Sequence, residues 1–237
     1  MINQKKFGFQ IHGIDVSYYQ EQIDWSKVSQ DEIVFCFIKA TEGISIQDSK
    51  FHHNWAQASE AGIIRGAYHF FRPTVKPHIQ AKKYIENVKL EEGDLPPVLD
   101  LETLDGIPPK IFRKAVKEWV ELIESHYQIK PILYTNVSFY QDYLQGNFVE
   151  YPIWIAAYNK IIPPKLSNRK ENWMFWQHTD SGSVNGITGS VDLNVFRGTL
   201  EQLQSMCIQG LTPSSKRMEA SKVSNLPKIS DIQSVNH

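Results

Sequence analysis

Short apolar runs alternate with helical patterns along most of this chain. The runs are rich in β-branched and aromatic residues and are bounded by polar segments, which is typical of buried strands. Candidate strands cover residues 11–16, 34–40, 64–71, 97–102, 131–135, 152–157, 173–178 and 191–196. Because strands that alternate with helices usually pair in parallel, the pattern predicts an α/β protein with parallel strands.

The clearest helical pattern covers residues 108–127. Its apolar residues recur at the 3.6-residue period and form a broad stripe. The stripe consists of Ile111, Phe112, Ala115, Val116, Trp119, Val120, Leu122 and Ile123. Pro108 and Pro109 suit a first helical turn, where a missing N–H has no intrahelical partner to lose. Residues 50–61 and 76–90 are also predicted to be helical.

Eight candidate strands in one chain of this length favour a closed barrel over an open sheet. After about residue 150 too little chain lies between the strands for full helices. The sequence therefore predicts an irregular TIM-like β/α barrel with eight strands and fewer than eight helices, in which loops join the late strands.

Composition agrees with a single folded domain. The chain has 237 residues, of which 41% are apolar and 22% charged, enough to bury a substantial core. We expect an N-terminal extension over residues 1–10 and a globular domain over residues 11–209. Residues 210–237 lack aromatic side chains and are rich in Ser and Lys, which predicts a disordered polar tail.

The net charge and the number of cysteines argue against several classes of protein. A net charge of −1 predicts that the protein has no nucleic-acid partner. The chain contains no run of about 18 apolar residues, so we expect no membrane span. The segment Met1–Lys6 has no apolar stretch after its lysines, so it predicts no signal peptide and leaves the export route open. Cys36 lies in an apolar run, where we expect a buried thiol, and two cysteines predict no disulfide framework.

The most informative chemistry lies at the end of the fourth candidate strand. Side chains of a strand alternate in direction, so Asp100 and Glu102 should project from the same face. Two acids on a buried strand are costly unless something satisfies or uses them. Paired carboxyl groups with different surroundings can supply both a general acid and a charge stabiliser. The alternative is that the strand has reached solvent and the acids cap the next helix.

Other polar and aromatic residues end the remaining strands, at the rim where β/α barrels carry their active sites. They are Asp15, Tyr68, His69, Tyr134, Asn136, Trp154, Tyr158, Trp176, Gln177, His178 and Asp192. Carboxylates among aromatic rings suit a carbohydrate, whose apolar C–H faces stack on rings while its hydroxyls bind polar groups. We find no zinc-ligand spacing, phosphate loop, dinucleotide fingerprint or Gly-x-Ser-x-Gly motif, and expect neither metal nor cofactor.

Several of these residues belong to longer segments that together resemble those of a known protein family. The segments are His12–Gln20, Phe37–Gly43, Gly66–Phe70, Asp100–Glu102, Tyr134–Asn136, Trp154–Tyr158, Trp176–Gln177 and Val191–Asn194. In order and spacing, residues 12–200 resemble the glycoside hydrolase family 25 lysozymes, the Chalaropsis-type N-acetylmuramidases. The acidic positions of that family correspond to Asp15, Asp100, Glu102 and Asp192.

The resemblance implies hydrolysis of the β-1,4 bond between N-acetylmuramic acid and N-acetylglucosamine in peptidoglycan. Glu102 would be the general acid, kept protonated by burial and by nearby Asp100 and Asp192. Asp100 would orient the substrate's 2-acetamido N–H, so that the substrate supplies its own nucleophile and forms an oxazolinium-like intermediate. The competing mechanism is direct inversion with Asp15 or Asp192 as base.

The remaining site residues have supporting roles in this hypothesis. Asp15 and Asp192 would hold substrate hydroxyls and tune Glu102, and Tyr134 would bind the acetamido group. Sugar platforms are expected from Tyr68, Trp154, Tyr158 and Trp176. Gln177 would bind substrate or satisfy a neighbouring carboxylate. We expect His69 to be a hydrogen-bonded wall residue.

The expected partner is the peptidoglycan glycan strand, bound by a monomer that acts outside the cell or in the periplasm. Two alternatives stay open. A chitinase-like hydrolase would also place an Asp-x-Glu pair on the fourth strand, but such enzymes usually carry another Asp two residues earlier, where this chain has Val98. The other alternative is a non-catalytic peptidoglycan-binding protein, although binding alone does not need a buried acid pair.

Overall fold

The structure is a computed structural model that describes residues 8–158, 164–166 and 173–210. Its strands are β1 (Ile11–Val16), β2 (Ile33–Glu42), β3 (Ile46–Gln47), β4 (Ile64–Phe70), β5 (Val98–Asp100), β6 (Ile132–Asn136), β7 (Ile153–Ala156), β8 (Trp173–Gly182) and β9 (Val191–Phe196). The α-helices of these ranges are α1 (Trp25–Val28), α2 (Phe51–Glu60), α3 (Pro77–Asn87), α4 (Pro109–Tyr127), α5 (Val137–Phe139) and α6 (Leu200–Met206).

Eight of the strands close into a barrel. They follow the order β1-β2-β4-β5-β6-β7-β8-β9, and β9 returns to β1, while β3 forms a short hairpin with β2 outside the ring. The irregular TIM-like barrel predicted from the sequence is confirmed. Residues 183–190, which join β8 to β9, form no helix or strand, as expected for the late connections.

The last strand differs from the prediction. β1 to β8 pair in parallel around the barrel, but β9 runs antiparallel to both β8 and β1. The expectation of an all-parallel barrel is therefore wrong at this strand. A short loop can join β8 to β9 only if the chain reverses direction, whereas a parallel strand needs a long crossover. The first residues of β9 consequently lie at the same rim as the last residues of β1.

The barrel interior is filled by aromatic rings. Phe35 and Phe37 of β2 point inward and pack against Phe175, and the Phe37 ring stacks on Trp154 at 4.3 Å between ring centres. Gly13 of the neighbouring strand is required for this packing, since a Cβ there would lie 2.5 Å from the Phe35 ring. The rings form a solid floor, so only the carboxyl-end rim is left for a site.

The opposite end of the barrel is covered by α6. Leu203 and Cys207 pack into the same interior cluster as Ile11 and Leu95. The backbone N–H of Ile208 donates to the carbonyl of Asp94 at 2.8 Å, which fixes the segment after α6 beneath the barrel. Helix α6 therefore packs against the end of the barrel opposite the acids.

The outer face of the barrel packs against the helices. On α4 the buried residues are Phe112, Val116, Trp119, Val120 and Ile123, while Ile111 is 53% and Leu122 40% exposed. The apolar stripe is thus narrower than predicted. None of the described helices is both long and apolar enough to cross a membrane.

The remaining sequence predictions concern the cysteines and the two ends of the chain. Cys36 and Cys207 are free and buried, as predicted for the Cys36 thiol. Residues 1–7 of the expected N-terminal extension and residues 211–237 of the expected tail lie outside the described residues. The boundaries of the three segments therefore stay predictions.

Candidate active site

Four acids meet at the carboxyl-end rim of the barrel. Asp15 lies near the end of β1, and its Cα pairs with that of Asp192 because β9 is antiparallel. Asp100 is the last residue of β5, and Glu102 follows two residues later. The reversed direction of β9 is what brings Asp192, the second residue of its strand, to this rim.

Asp15 and Asp192 share one amide donor. The side-chain amide nitrogen of Gln177 donates to Oδ2 of Asp15 at 2.8 Å and to Oδ2 of Asp192 at 3.2 Å. The side-chain amide of Asn194 donates to the same oxygen of Asp15 at 2.7 Å. Asp15 is therefore held by two N–H groups from two neighbouring strands.

The hydrogen-bond partners of both amides give their orientation. The indole N–H of Trp154 can only donate, so the Asn194 atom that it meets at 2.8 Å is the amide oxygen, and the nitrogen faces Asp15. The hydroxyls of Tyr134 and Tyr158 both donate to Oε1 of Gln177 at 2.7 Å. Gln177 consequently presents its nitrogen to the acids and its oxygen to the tyrosines.

The Asp15–Asp192 pair favours holding a proton. Burial and then the charge of Asp192 raise the pKa of Asp15 well above its usual 3.8, although the donors Asn194 and Gln177 act in the opposite direction. Burial also raises the pKa of Asp192, against a hydrogen bond with Asp15. Two adjacent carboxyl groups in such a setting titrate as a unit. The pair is suited to hold hydroxyl groups in place rather than to attack.

Asp100 is buried and incompletely satisfied. Its side chain is 4% exposed, and its Oδ1 has no hydrogen-bond partner among the described residues. Burial, the charge of Glu102 and a side-chain hydrogen bond with Glu102 raise the pKa of Asp100 well above 3.8, while the charge of Lys39 opposes the shift. An unpartnered buried carboxylate oxygen is energetically costly, and a donor on a ligand would satisfy it.

Glu102 lies differently from its predicted position. Strand β5 ends at Asp100 rather than at residue 102, so Glu102 stands in the loop that follows. Its side chain is exposed, and the expectation that Glu102 is buried is wrong. The two carboxyl groups still interact, and the charge of Glu102 also acts on Tyr134 and Asp192. Glu102 therefore faces the mouth of the barrel.

Two of the four expected sugar platforms, Tyr68 and Tyr158, border this mouth together with Tyr134, which was expected to bind the acetamido group. Tyr68 is half-buried, and burial together with the charges of Asp15 and Asp100 raises the pKa of its phenol. Tyr134 is nearly buried, with 7% of its surface exposed, and Tyr158 is 37% exposed. These rings surround the acids.

The two tryptophans do not present a face to solvent. Trp154 is 2% exposed and belongs to the aromatic floor. Trp176 is fully buried on the outer side of the barrel wall, where its indole N–H donates to the carbonyl of Ala157 at 3.0 Å. The expectation that Trp154 and Trp176 are sugar platforms is therefore wrong. Gln177 faces the interior, and adjacent residues of a strand cannot both do so.

The histidine of β4 is part of the wall, as expected. His69 is fully buried, its Nδ1 lies 2.7 Å from the Thr41 hydroxyl, and its Nε2 lies 3.0 Å from Oε1 of Gln80. Burial lowers the pKa of His69 to about 4. The ring also stacks on Trp119 of α4, so its contacts are structural.

Sequence reasoning missed Asn194 and Lys39. Asn194 follows Asp192 by two residues and must share its face, which is the signal that identifies it in retrospect. Lys39 occupies the corresponding inward position two residues after Phe37; its Nζ lies 2.8 Å from Oε2 of Glu42, and its charge acts on Asp100. Both contribute polar groups beside the acids.

Other features of the described residues lie away from the acids. No three His, Cys, Asp or Glu side chains in these ranges are arranged to hold a metal ion. A cleft of about 670 Å³ lies between the segment that follows β1, helix α2 and the loop before β9, and its lining includes Gln22, His53, Gln57 and Thr188. None of the four acids lines this cleft, although the loop carrying Thr188 leads into β9.

Replacing Gln177 tests the network. Gln177→Leu removes the acceptor of two tyrosine hydroxyls and one donor to Asp15, so we expect the free energy of unfolding to fall by roughly 1–3 kcal/mol. Urea denaturation followed by tryptophan fluorescence measures it. Gln204→Leu, at an exposed position of α6, is the matched control and should change stability little. Equal stability of the two variants would show that the network contributes nothing.

Comparison with known proteins agrees with this site. Residues 14–187 match the family described as Glycosyl hydrolases family 25. The uncharacterized protein YegX of Escherichia coli (strain K12) is 44% identical over 202 residues, which cover 83% of this chain and 73% of YegX. Lysozyme M1 of Streptomyces globisporus is 32% identical over 209 residues, with 83% of this chain and 71% of the lysozyme covered.

A solved structure supports the same assignment. The family 25 glycosyl hydrolase of Bacillus anthracis superposes with a TM-score of 0.78 at 35% identity, covering 86% of this chain and 95% of that one. The family match over residues 14–187 includes Asp15, Asp100 and Glu102, whereas Asp192 on β9 lies just beyond it. This chain belongs to glycosyl hydrolases family 25 and is a glycoside hydrolase.

Proposed function

We propose that this protein is a lysozyme that hydrolyses the β-1,4 bond between N-acetylmuramic acid and N-acetylglucosamine in peptidoglycan. Membership of family 25 and the similarity to proteins named lysozyme support this substrate. The proposal is carried by the buried Oδ1 of Asp100, which has no hydrogen-bond partner in the part of the chain that the structure describes and lies beside the exposed carboxyl group of Glu102. An N-acetylated sugar supplies an N–H donor that fits Oδ1.

Glu102 is the general acid in this mechanism. A carboxyl group in a loop at the mouth can reach the glycosidic oxygen of a bound strand, and the strand itself excludes water from it. Its exposure in the free protein is compatible with this role, because catalytic hydrogen bonds often form only in the complex. The leaving sugar takes the Glu102 proton as the glycosidic bond breaks.

Asp100 acts on the acetamido group. When the substrate N–H donates to Oδ1 of Asp100, the charged form of that carboxyl group is stabilised. The proton in the Asp100–Glu102 hydrogen bond then moves toward Glu102, where the leaving oxygen needs it. The acetamido oxygen attacks the anomeric carbon, and we assign binding of that group to Tyr134, which is next to Asp100 in the sheet.

Asp15 and Asp192 hold the substrate on the other side of the mouth. Oδ2 of Asp15 already accepts two N–H groups, which favours a positioning role over that of a base in direct inversion. The anomeric form of the first product distinguishes the mechanisms. Proton NMR during digestion should show net retention, whereas net inversion would exclude acetamido participation.

Mass spectrometry of peptidoglycan fragments tests the substrate. We expect digestion of purified cell wall to release muropeptides with muramic acid at the reducing end, because cleavage occurs on the reducing side of that sugar. A reducing-end glucosamine would contradict the proposal. Colloidal chitin assayed in parallel tests the chitinase-like alternative, which is disfavoured because the position two residues before Asp100 is Val98, buried in the barrel interior.

The partner and place of action follow from this substrate. We propose that the protein acts on glycan strands of the cell wall, outside the cytoplasm, and does so as a monomer. The rim residues described above come from one chain, which supports a site that needs no second copy.

A further inference from the structure

Two tyrosines at the edge of the mouth are exposed and packed on each other. Tyr18 is 42% and Tyr19 72% exposed. Their ring centres are 4.1 Å apart, with an angle of 30° between the planes. Neither ring takes part in the network around the acids. An aromatic pair left in water presents a flat apolar surface to a ligand.

The backbone beneath these rings is firmly held. Ser17 caps the short 3₁₀ turn Tyr18–Gln20, with reciprocal bonds between Ser17 and Gln20. The N–H of Tyr18 donates to Oδ2 of the buried Asp48 at 2.9 Å, and the side chain of Gln20 donates to the carbonyl of Ser190 at 3.3 Å. The backbone that carries the rings is therefore fixed, while the Tyr19 side chain stays largely exposed. A ligand then loses little conformational freedom of the protein on binding.

The pair lies just beyond the carboxyl end of β1, at the rim that carries the acids. Tyr18 follows Asp15 by three residues, and its backbone N–H is held by Asp48. Three strand intervals separate β1 from β5 in the barrel order, which is roughly 14 Å along the wall. A glycan bound at Asp100 and Glu102 must extend across the mouth to reach the two tyrosines.

Polar groups for sugar hydroxyls lie just beyond the turn. Gln22 and His53 approach each other at 3.5 Å, and both line the cleft between the segment that follows β1, helix α2 and the loop before β9. An exposed ring pair beside amide and imidazole groups suits a saccharide, whose ring faces are apolar and whose edges carry hydroxyls.

We propose that Tyr18 and Tyr19 form a distal binding site for a sugar unit of the same glycan strand, beyond the two sugars that flank the cleaved bond. This inference rests on the proposed function, because the glycan strand proposed there as the substrate is also the ligand of the distal site. It predicts that the enzyme prefers long glycan strands to short ones, because only long strands reach this site.

Substitution of Tyr19 tests the site. We expect Tyr19→Ala to raise KM for peptide-free octasaccharide strands of alternating N-acetylglucosamine and N-acetylmuramic acid about three- to tenfold, with kcat unchanged. The KM for the tetrasaccharide should stay as in the wild type. Tyr19→Phe keeps the ring and should behave as the wild type on both substrates. Val149→Ala, at an exposed position before β7 at the opposite end of the barrel, is the control.

Two results would overturn the distal site: an unchanged KM for the octasaccharide, or an equal increase for both substrates. Failure of the proposed function is separately visible, since the wild type would then cleave neither substrate. In that case the distal site can still be tested by calorimetric titration of the octasaccharide into the wild type and into Tyr19→Ala. A three- to tenfold weaker binding by the variant supports the site, and equal affinity or no binding by either excludes it.

Discussion

Glu102→Gln is expected to lower kcat on purified peptidoglycan by about 100- to 10,000-fold, the contribution typical of a general acid. Glutamine keeps the shape of the side chain and its exposed place in the loop after β5, but it has no proton to give to the leaving oxygen. KM should change little, because the contacts made by Asp15, Asp192 and the tyrosines remain. Dye release from labelled cell wall measures the rate.

Asp105→Asn is the matched control for Glu102→Gln. Asp105 lies three residues further along the same loop, where it accepts from the Thr103 hydroxyl at 2.8 Å, and the substitution removes one negative charge. Its activity should stay within severalfold of wild type. Comparable lysis by wild type and Glu102→Gln, with both folded by circular dichroism, would eliminate Glu102 as the acid.

Asp100→Asn should reduce activity and raise stability together. Asparagine cannot accept the acetamido N–H as a charged oxygen does, so we expect kcat to fall about 100- to 1,000-fold. The same change removes a buried carboxyl group whose charged form is disfavoured, so the free energy of unfolding should rise by about 1–3 kcal/mol at neutral pH. Thermal and urea denaturation measure this gain.

The gain in stability should depend on pH. Burial raises the pKa of Asp100 in the folded state above 3.8. Below pH 3.8 this carboxyl group is protonated in both the folded and the unfolded state, so it costs the wild type no stability. As the pH rises toward the raised pKa, the unfolded state ionises first and the wild type loses stability. The difference between Asp100→Asn and wild type should therefore grow from pH 4 to neutral pH. Glu121→Gln, on the exposed side of α4, should show no such trend. A pH-independent difference would mean that Asp100 is ionised without cost in the fold.

Much of the barrel is visible in local patterns. The bounds of β1 and β9 are those predicted from apolar alternation, and the helix predicted over residues 108–127 is Pro109–Tyr127. Alternation and the 3.6-residue period record which side chains face a core, and that property is set by neighbours in the chain. For the same reason the sequence identified most of the polar residues at the ends of the strands.

The burial of individual side chains at the site could not be predicted from these local patterns. The apolar run through Leu101 predicted a strand to residue 102, but the pairing with β4 and β6 stops at Asp100. One acid is therefore buried and the other exposed. Trp176 likewise looks like a rim residue by position, and only the inward direction of Gln177 shows that it faces the outer layer.

The sequence by itself determined the barrel class, the family and the identity of the four acids, because these are recorded in residue types and their spacing. Only the tertiary structure decided that β9 reverses, that Asp15 meets Asp192, and that Gln177 and Asn194 bind Asp15 from 162 and 179 residues away. Hydrogen bonds over such separations depend on which strands become neighbours when the barrel closes, and no local pattern along the chain contains that information.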